Sequence, residues 1–245
     1  LIISGSLTVF WPYFYSLPVF IAQWSDNAAL YYAIYSVLPG FARAIGTDEG
    51  RILAEKIIAL DALFIVIFQI IVSTLIGRFR PLHSMTAGIL VNSIGLTLAV
   101  LTRNPFFFIL GIFIFSLGEM TFSPKILEYI GRIAPPDKAA LYMGTQFLPI
   151  AIGNFIGGFI SGGVYEKLAD KVIMAKEIIS GPVDASLTKE QILSQAMEVS
   201  GLTEEGLTEL LWTTNNPGSF GFVLAGMGAF TFVLLLIYDR YIFRD

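Results

Sequence analysis

Six apolar stretches, at residues 1–24, 57–77, 82–101, 105–123, 140–163 and 219–238, are each long enough to cross a bilayer, which takes about 20 residues of helix. No other feature restricts the chain so tightly. In hydrocarbon each segment must satisfy its own backbone amides, so spans of this length are α-helices. Composition agrees, with 55% hydrophobic residues, 14% charged and a mean hydropathy of +0.73; a soluble domain is about 25% charged. The fold class is an all-α membrane protein of six transmembrane helices. An even count puts both ends on one side. The absence of cysteine excludes a disulfide framework and thiolate metal sites. Residue 1 is Leu, and no charged segment with a cleavage site precedes the first apolar run, so the chain reads as a piece of a longer one.

The fourth stretch carries the main candidate residue. Its run from Pro105 to Gly118 is apolar, and Glu119 is its only acid. At 1.5 Å per residue Glu119 lies roughly 21 Å along a helix begun at Pro105, well inside a hydrocarbon layer about 30 Å thick. A carboxylate there costs about 2.5–3.5 kcal/mol, so it faces a cavity or a partner rather than lipid. Such a residue marks either a site or a buried packing contact. The helix then leaves through Ser123-Pro124 into a basic, amphipathic exit.

The first stretch holds Pro12 and Pro18 and a run of aromatics, Phe10, Trp11, Tyr13, Phe14, Tyr15 and Phe20. These rings either pack the bundle or line a pocket, while Trp24 reads as an interface anchor. Residues 28–41, broken by Pro39-Gly40, are short for a span and read as an interfacial or re-entrant helix. Asp61 lies one turn inside the second stretch, near enough to the end to reach the interface. His83, the only histidine, falls in a basic turn with Arg78 and Arg80 and has no partners for a metal site or triad. Gly88, Asn92, Ser93 and Gly95 give the third stretch a small-residue face. In the fifth, Gly153 with Gly157 and Gly158 with Gly162 repeat the G-x-x-x-G spacing of close helix contacts. Residues 164–218 form a polar insert, with Thr188 to Gln191 as a capping box opening one helix and Thr203 opening a second. The chain thus divides into 1–163, with the first five helices; 164–218, an extracytoplasmic two-helix insert; and 219–245, the last helix and a cytoplasmic tail.

Orientation follows the basic residues of short loops. The turns near 78–83 and 125–138 and the tail carry seven of them (Arg78, Arg80, Lys125, Arg132, Lys138, Arg240 and Arg244) with only four acids. The other side has eight, diluted among thirteen acids. Both ends are therefore expected in the cytoplasm, the insert outside, and the whole in a plasma (inner) membrane.

Gly118-Glu119, Ser123-Pro124, Leu127 and Ala134-Pro135 follow the pattern G-E-x-x-x-S-P-x-x-L…A-P. With Met143-Gly144, Phe147-Leu148, Ala151-Ile152-Gly153-Asn154 and Phe10-Trp11-x-x-Phe14, they make the chain resemble the C-terminal six-helix half of a major facilitator superfamily transporter. More narrowly, it resembles the proton-dependent oligopeptide transporters. Gln146 stands where that family's M-G-x-W-F-L pattern has tryptophan, Tyr15-Ser16 where it often has glutamine, and Asp61 where its eighth helix has asparagine.

The resemblance implies proton-coupled symport of di- and tripeptides, or of related amine-bearing solutes, by alternating access between two six-helix halves. It implies Glu119 as the contact for a substrate amine. Phe10, Trp11, Phe14, Gln146 and Ser123 would line the pocket, and Asp61 would add a second charge or proton site. No metal or organic cofactor is expected, a proton being the coupling ion. The expected partners are a small-molecule or peptide substrate, the missing N-terminal half and the bilayer, with no nucleic acid. The rivals are a superfamily transporter of another small solute, a membrane receptor or scaffold, and an intramembrane aspartyl protease, for which Asp61 and Glu119 are the one available acid pair.

Overall fold

Proline placement explains the first departure from six uniform spans. The structure, a computed structural model, describes residues 2–179 and 186–241, so Arg244 and part of the insert lie outside the described residues. The first stretch is helical but runs as three pieces, α1 (Ile2–Phe10), α2 (Pro12–Tyr15) and α3 (Leu17–Trp24). Pro12 and Pro18 each remove an amide donor, which frees the carbonyls of Thr8 and Phe14. The chain stays in the helical region between the pieces, because Trp11 and Ser16 keep right-handed helical dihedrals.

Residues 25–56 hold a short helical pair, α4 (Asn27–Val37) and α5 (Pro39–Ile45), divided at Leu38 where the following proline disfavours helix. Asp26 caps α4 by accepting the Ala29 amide at 2.9 Å. Next come α6 (Ala54–Ile58), α7 (Leu60–Ile76), α8 (Pro81–Val100) and α9 (Pro105–Ile133). Both α8 and α9 open on proline, whose missing donor is no loss in a first turn. Pro124 does not end α9: its 29 residues reach roughly 43 Å. The exit expected beyond Ser123 is thus a continuation of the same rod.

The fifth stretch is α10 (Ala139–Gly144), α11 (Phe147–Phe159), a π-helical turn (Ile160–Val164) and α12 (Tyr165–Leu168). The insert contributes α13 (Lys171–Ile178), α14 (Lys189–Ser200) and α15 (Glu204–Asn215), one helix more than its capping signals suggest. The Thr188–Gln191 capping box is present with both of its bonds. The chain closes on α16 (Phe220–Tyr241). Among the described residues, five stretches are long and apolar enough to cross a membrane: Ala54–Ile76, Pro81–Val100, Pro105–Ile133, Pro136–Ile178 and Pro217–Tyr241. The molecule is an all-α membrane protein.

At the centre, α8 lies against α9, with α16 on α8, α7 on α9, and α1 between α11 and α16. Glycine makes the central contact close. A Cβ added to Gly118 would sit 2.6 Å from the Gly88 carbonyl oxygen, and one on Gly95 would sit 2.6 Å from that of Gly111. The larger core cluster runs from Leu17, Phe20 and Trp24 through Phe108 and Phe115 into the insert at Leu207 and Leu211. Trp24 is therefore no interface anchor. It is buried, donates to the Ala169 carbonyl at 2.9 Å and packs edge-on against Trp212. A smaller cluster at the other end joins Leu82, Met85, Phe122 and Leu235. There Lys125 is held by Glu128 at 2.7 Å, and the Phe79 carbonyl lies 3.4 Å from its amine. His83 is the third residue of α8 rather than a loop residue, and it faces Asp239 at 2.9 Å.

Candidate functional site

Helical spacing on α9 puts Ser116, Glu119 and Ser123 along one stripe, and α7 delivers Asp61 to its upper part. Ser116 donates to Asp61 Oδ1 at 2.6 Å and to the Ile112 carbonyl at 2.8 Å. The Asp61 and Glu119 side chains lie within hydrogen-bonding reach of each other. Asp61 is 8% exposed. It does not turn to the interface as its position near a helix end suggests, because Ser116 and Glu119 give it partners inside.

Glu119 is half-buried, and its Oε2 is an enclosed oxygen with no hydrogen-bond partner among the described residues. The ion pairs of the described residues join His83 to Asp239, Arg103 to Glu209, and Lys125 and Arg132 to Glu128. None of them reaches the acid pair. Two carboxyl groups in contact cannot both stay ionised without a cation or a shared proton. Among the described residues no group of three or more His, Cys, Asp or Glu could hold a metal ion.

The aromatic run of the first stretch forms one wall. Phe115, next to Ser116, stacks on Tyr13 with ring centroids 4.1 Å apart and on Phe10 at 5.6 Å. Tyr13 is fully buried, donates to the Ile58 carbonyl at 2.7 Å, and lies in the field of both carboxyl groups. Phe14 packs on Phe10 and Trp11 but is 44% exposed. Trp11 stacks on Tyr15, and its indole Nε1 is enclosed without a partner among the described residues. Tyr15 reaches Asn154 of α11 at 3.1 Å.

The structure thus brings Asp61 to Glu119 and stacks Phe10 on Phe115 of α9, while Trp11 and Phe14 pack on Phe10. Ser123 shares the stripe but is exposed, one turn along. Gln146 is half-buried at the start of α11, and no hydrogen bond of the described residues ties it to the pair. Sequence reasoning missed Ser116 and Phe115 as site residues, and it named Tyr13 only among rings that either pack the bundle or line a pocket. The signals were present, since Ser116 precedes Glu119 by three positions and Tyr13 lies within the aromatic run.

Helices of membrane-spanning length around a buried acid pair define a polytopic membrane protein with a polar centre. The sequence signature of the Major Facilitator Superfamily matches residues 4–169. The chain belongs to that superfamily, and so to the secondary transporters in general. No curated protein and no solved structure matches it.

Proposed function

We propose that the chain is the C-terminal half of a proton-coupled symporter for di- and tripeptides or related amine-bearing solutes, working by alternating access. One observation carries this reading. Glu119 is half-buried against a second acid, has no basic partner among the described residues, and keeps one enclosed oxygen unbonded. Such an arrangement is incomplete alone, and a substrate ammonium group or a proton completes it. Phe10, Trp11 and Phe14 supply the apolar wall that a small organic solute needs beside a charge. The density of basic residues in short loops supports a cytoplasmic side for both ends of the segment.

Gln146 in place of the tryptophan, and Asp61 in place of the asparagine, favour a second reading within the same class: a superfamily transporter whose amine-bearing solute is not a peptide. Both readings are tested by Glu119→Gln in the full-length protein, which keeps the volume and removes the charge. Losing one partner of a buried charge pair costs about 2–5 kcal/mol. Uptake of amine-bearing solutes should therefore fall more than about tenfold, with normal amounts in the membrane. Unchanged uptake would reduce Glu119 to a packing residue. Uptake of a simple amine but not of dipeptides by the parent protein, lost in Glu119→Gln, would favour the second reading.

A further inference from the structure

A second place in the molecule has the chemistry of a cation site, far along the chain from Glu119. A cavity of about 360 Å³ opens beside α4 and α5, walled by Tyr31, Tyr32 and Tyr35 of α4 and by Asp48 and Glu49 of the following loop. The Tyr31 and Tyr32 rings meet at 83° with centroids 5.4 Å apart, so two aromatic faces form a corner. Tyr35 stacks on Tyr31 at 5.8 Å. Arg43 already lies over the Tyr35 ring at 5.4 Å and donates to its hydroxyl at 2.8 Å. One tyrosine face here thus holds a cation already, and the ring of Tyr32, 61% exposed, remains open beside the Tyr31 edge. Two carboxylates against one guanidinium leave the cavity with a net negative charge.

The loop is built to keep this space open. Gly50 has φ +70°, and a Cβ there would come 3.1 Å from the Tyr32 hydroxyl and 3.5 Å from the Tyr31 ring. A side chain would therefore crowd the corner. Gly46 lets the backbone close against the Tyr31 ring and forms an antiparallel bridge with Ile52. Thr47 donates to the Arg51 carbonyl at 2.8 Å, and Ile52 is buried. The acids therefore stand on a held loop rather than on a loose one.

We infer that this cavity binds a small organic ammonium ion, with its charge toward Asp48 and Glu49 and its alkyl groups against the Tyr31–Tyr32 corner. Aromatic cages with nearby carboxylates recognise such ions because the ring face is electronegative and the cation is weakly hydrated. The inference does not rest on the role of Glu119. The probe is choline, read by saturation-transfer NMR of its methyl protons on the purified full chain in detergent. Its uncharged isostere 3,3-dimethylbutanol serves as the control. Saturable choline binding in the millimolar range is expected, with the isostere at least about tenfold weaker. Asp48→Asn combined with Glu49→Gln should weaken choline by at least about tenfold. Both acids are exposed, so the variant keeps its fold. Glu119→Gln should leave this binding intact. Absence of saturable binding, equal binding of the isostere, or full binding by the Asp48/Glu49 variant would each overturn the inference. Choline binding lost only in Glu119→Gln would also overturn it, while leaving the reading of Glu119 standing.

Discussion

Two glycine seams hold this bundle, and they are built differently. Between α8 and α9 glycine faces glycine: Gly88 meets Gly118 and Gly95 meets Gly111, seven residues apart on each antiparallel helix. A Cβ on any of the four would run into opposing backbone, at 2.6 Å to 2.9 Å from a carbonyl oxygen. Between α1 and α11 glycine lies on one side only. Gly153 meets Leu7, with the Leu7 Cβ 2.5 Å from an added Cβ, and Gly157 meets Trp11, with the Trp11 Cβ at 2.8 Å. Gly157 also lies against the Thr8 carbonyl, 3.2 Å from its added Cβ, which is the carbonyl freed by Pro12. A backbone-on-backbone seam fixes the distance and register of its helices, because neither side has a rotamer to adjust. The second seam sets glycine against Cβ and backbone atoms of one helix only, so it yields by a tilt of that helix rather than by a change of rotamer. The first seam carries Glu119, the neighbour of Gly118; the second carries the aromatic wall. The acid thus stands beside a contact fixed by backbone on both sides, and Trp11 beside a contact of glycine with a single helix.

The largest expected effect breaks the first seam. Gly95→Leu forces α8 from α9, with no flexible group to yield. Overpacking costs about 1–3 kcal/mol and here belongs at or above the upper end. A chain of this size should lose about 6–12 °C in melting temperature, measured in detergent by intrinsic fluorescence. A melting point like that of the parent would show that the two helices are not in backbone contact.

This seam also shows how far the sequence could be read. Gly88 and Gly95 mark α8 as a close-packing helix from sequence alone. Gly111 carries no such mark, and Gly118 is marked only as part of the Gly118-Glu119 motif, because both sit in a run dominated by phenylalanine. Their seven-residue spacing, matched in the facing helix, becomes meaningful only once the two are known to be antiparallel neighbours. The acid pair has the same history. Asp61 and Glu119 were legible as intramembrane acids, but 58 positions separate them, and no local pattern places one beside the other. Proline and capping signals, being local, located the helix starts at Pro105, Thr188 and Thr203 well. The reading of Trp24 as an interface anchor failed, because its burial depends on an insert about 145 residues away.

An intermediate effect tests the second seam. Gly153→Leu meets the Leu7 Cβ and the Ser4 carbonyl, the latter 3.1 Å from an added Cβ. Because a Cβ moves only with its backbone, relief requires α1 to tilt, and about 1–2 kcal/mol is expected, or roughly 2–8 °C in the same measurement. A loss as large as that of Gly95→Leu would show the two seams to be equally rigid, and the contrast between them would fall.

The smallest effect belongs to the other face of α11, where sequence spacing alone would mark Gly158 and Gly162 as a second close contact. An added Cβ at Gly158 meets nothing within 4 Å. Phe155 and Phe159 beside it are 79% and 71% exposed, so this face looks away from the bundle. Replacing a helical glycine by a residue with a side chain gains about 0.5–1 kcal/mol from the reduced freedom of the unfolded chain, when no clash opposes it. Gly158→Leu should therefore leave the melting temperature unchanged or raise it by a few degrees. A drop comparable to that of Gly153→Leu would mean the G-x-x-x-G spacing is used twice, and the one-sided packing of α11 would be wrong. The same variant asks a second question in the full-length protein. A face that looks at lipid accepts leucine without loss of uptake. A face that meets the proposed N-terminal half does not, because the added side chain then stands between two moving bodies. A stable chain with uptake lost in the longer protein would locate the contact between halves on α11, opposite the seam that carries the aromatic wall.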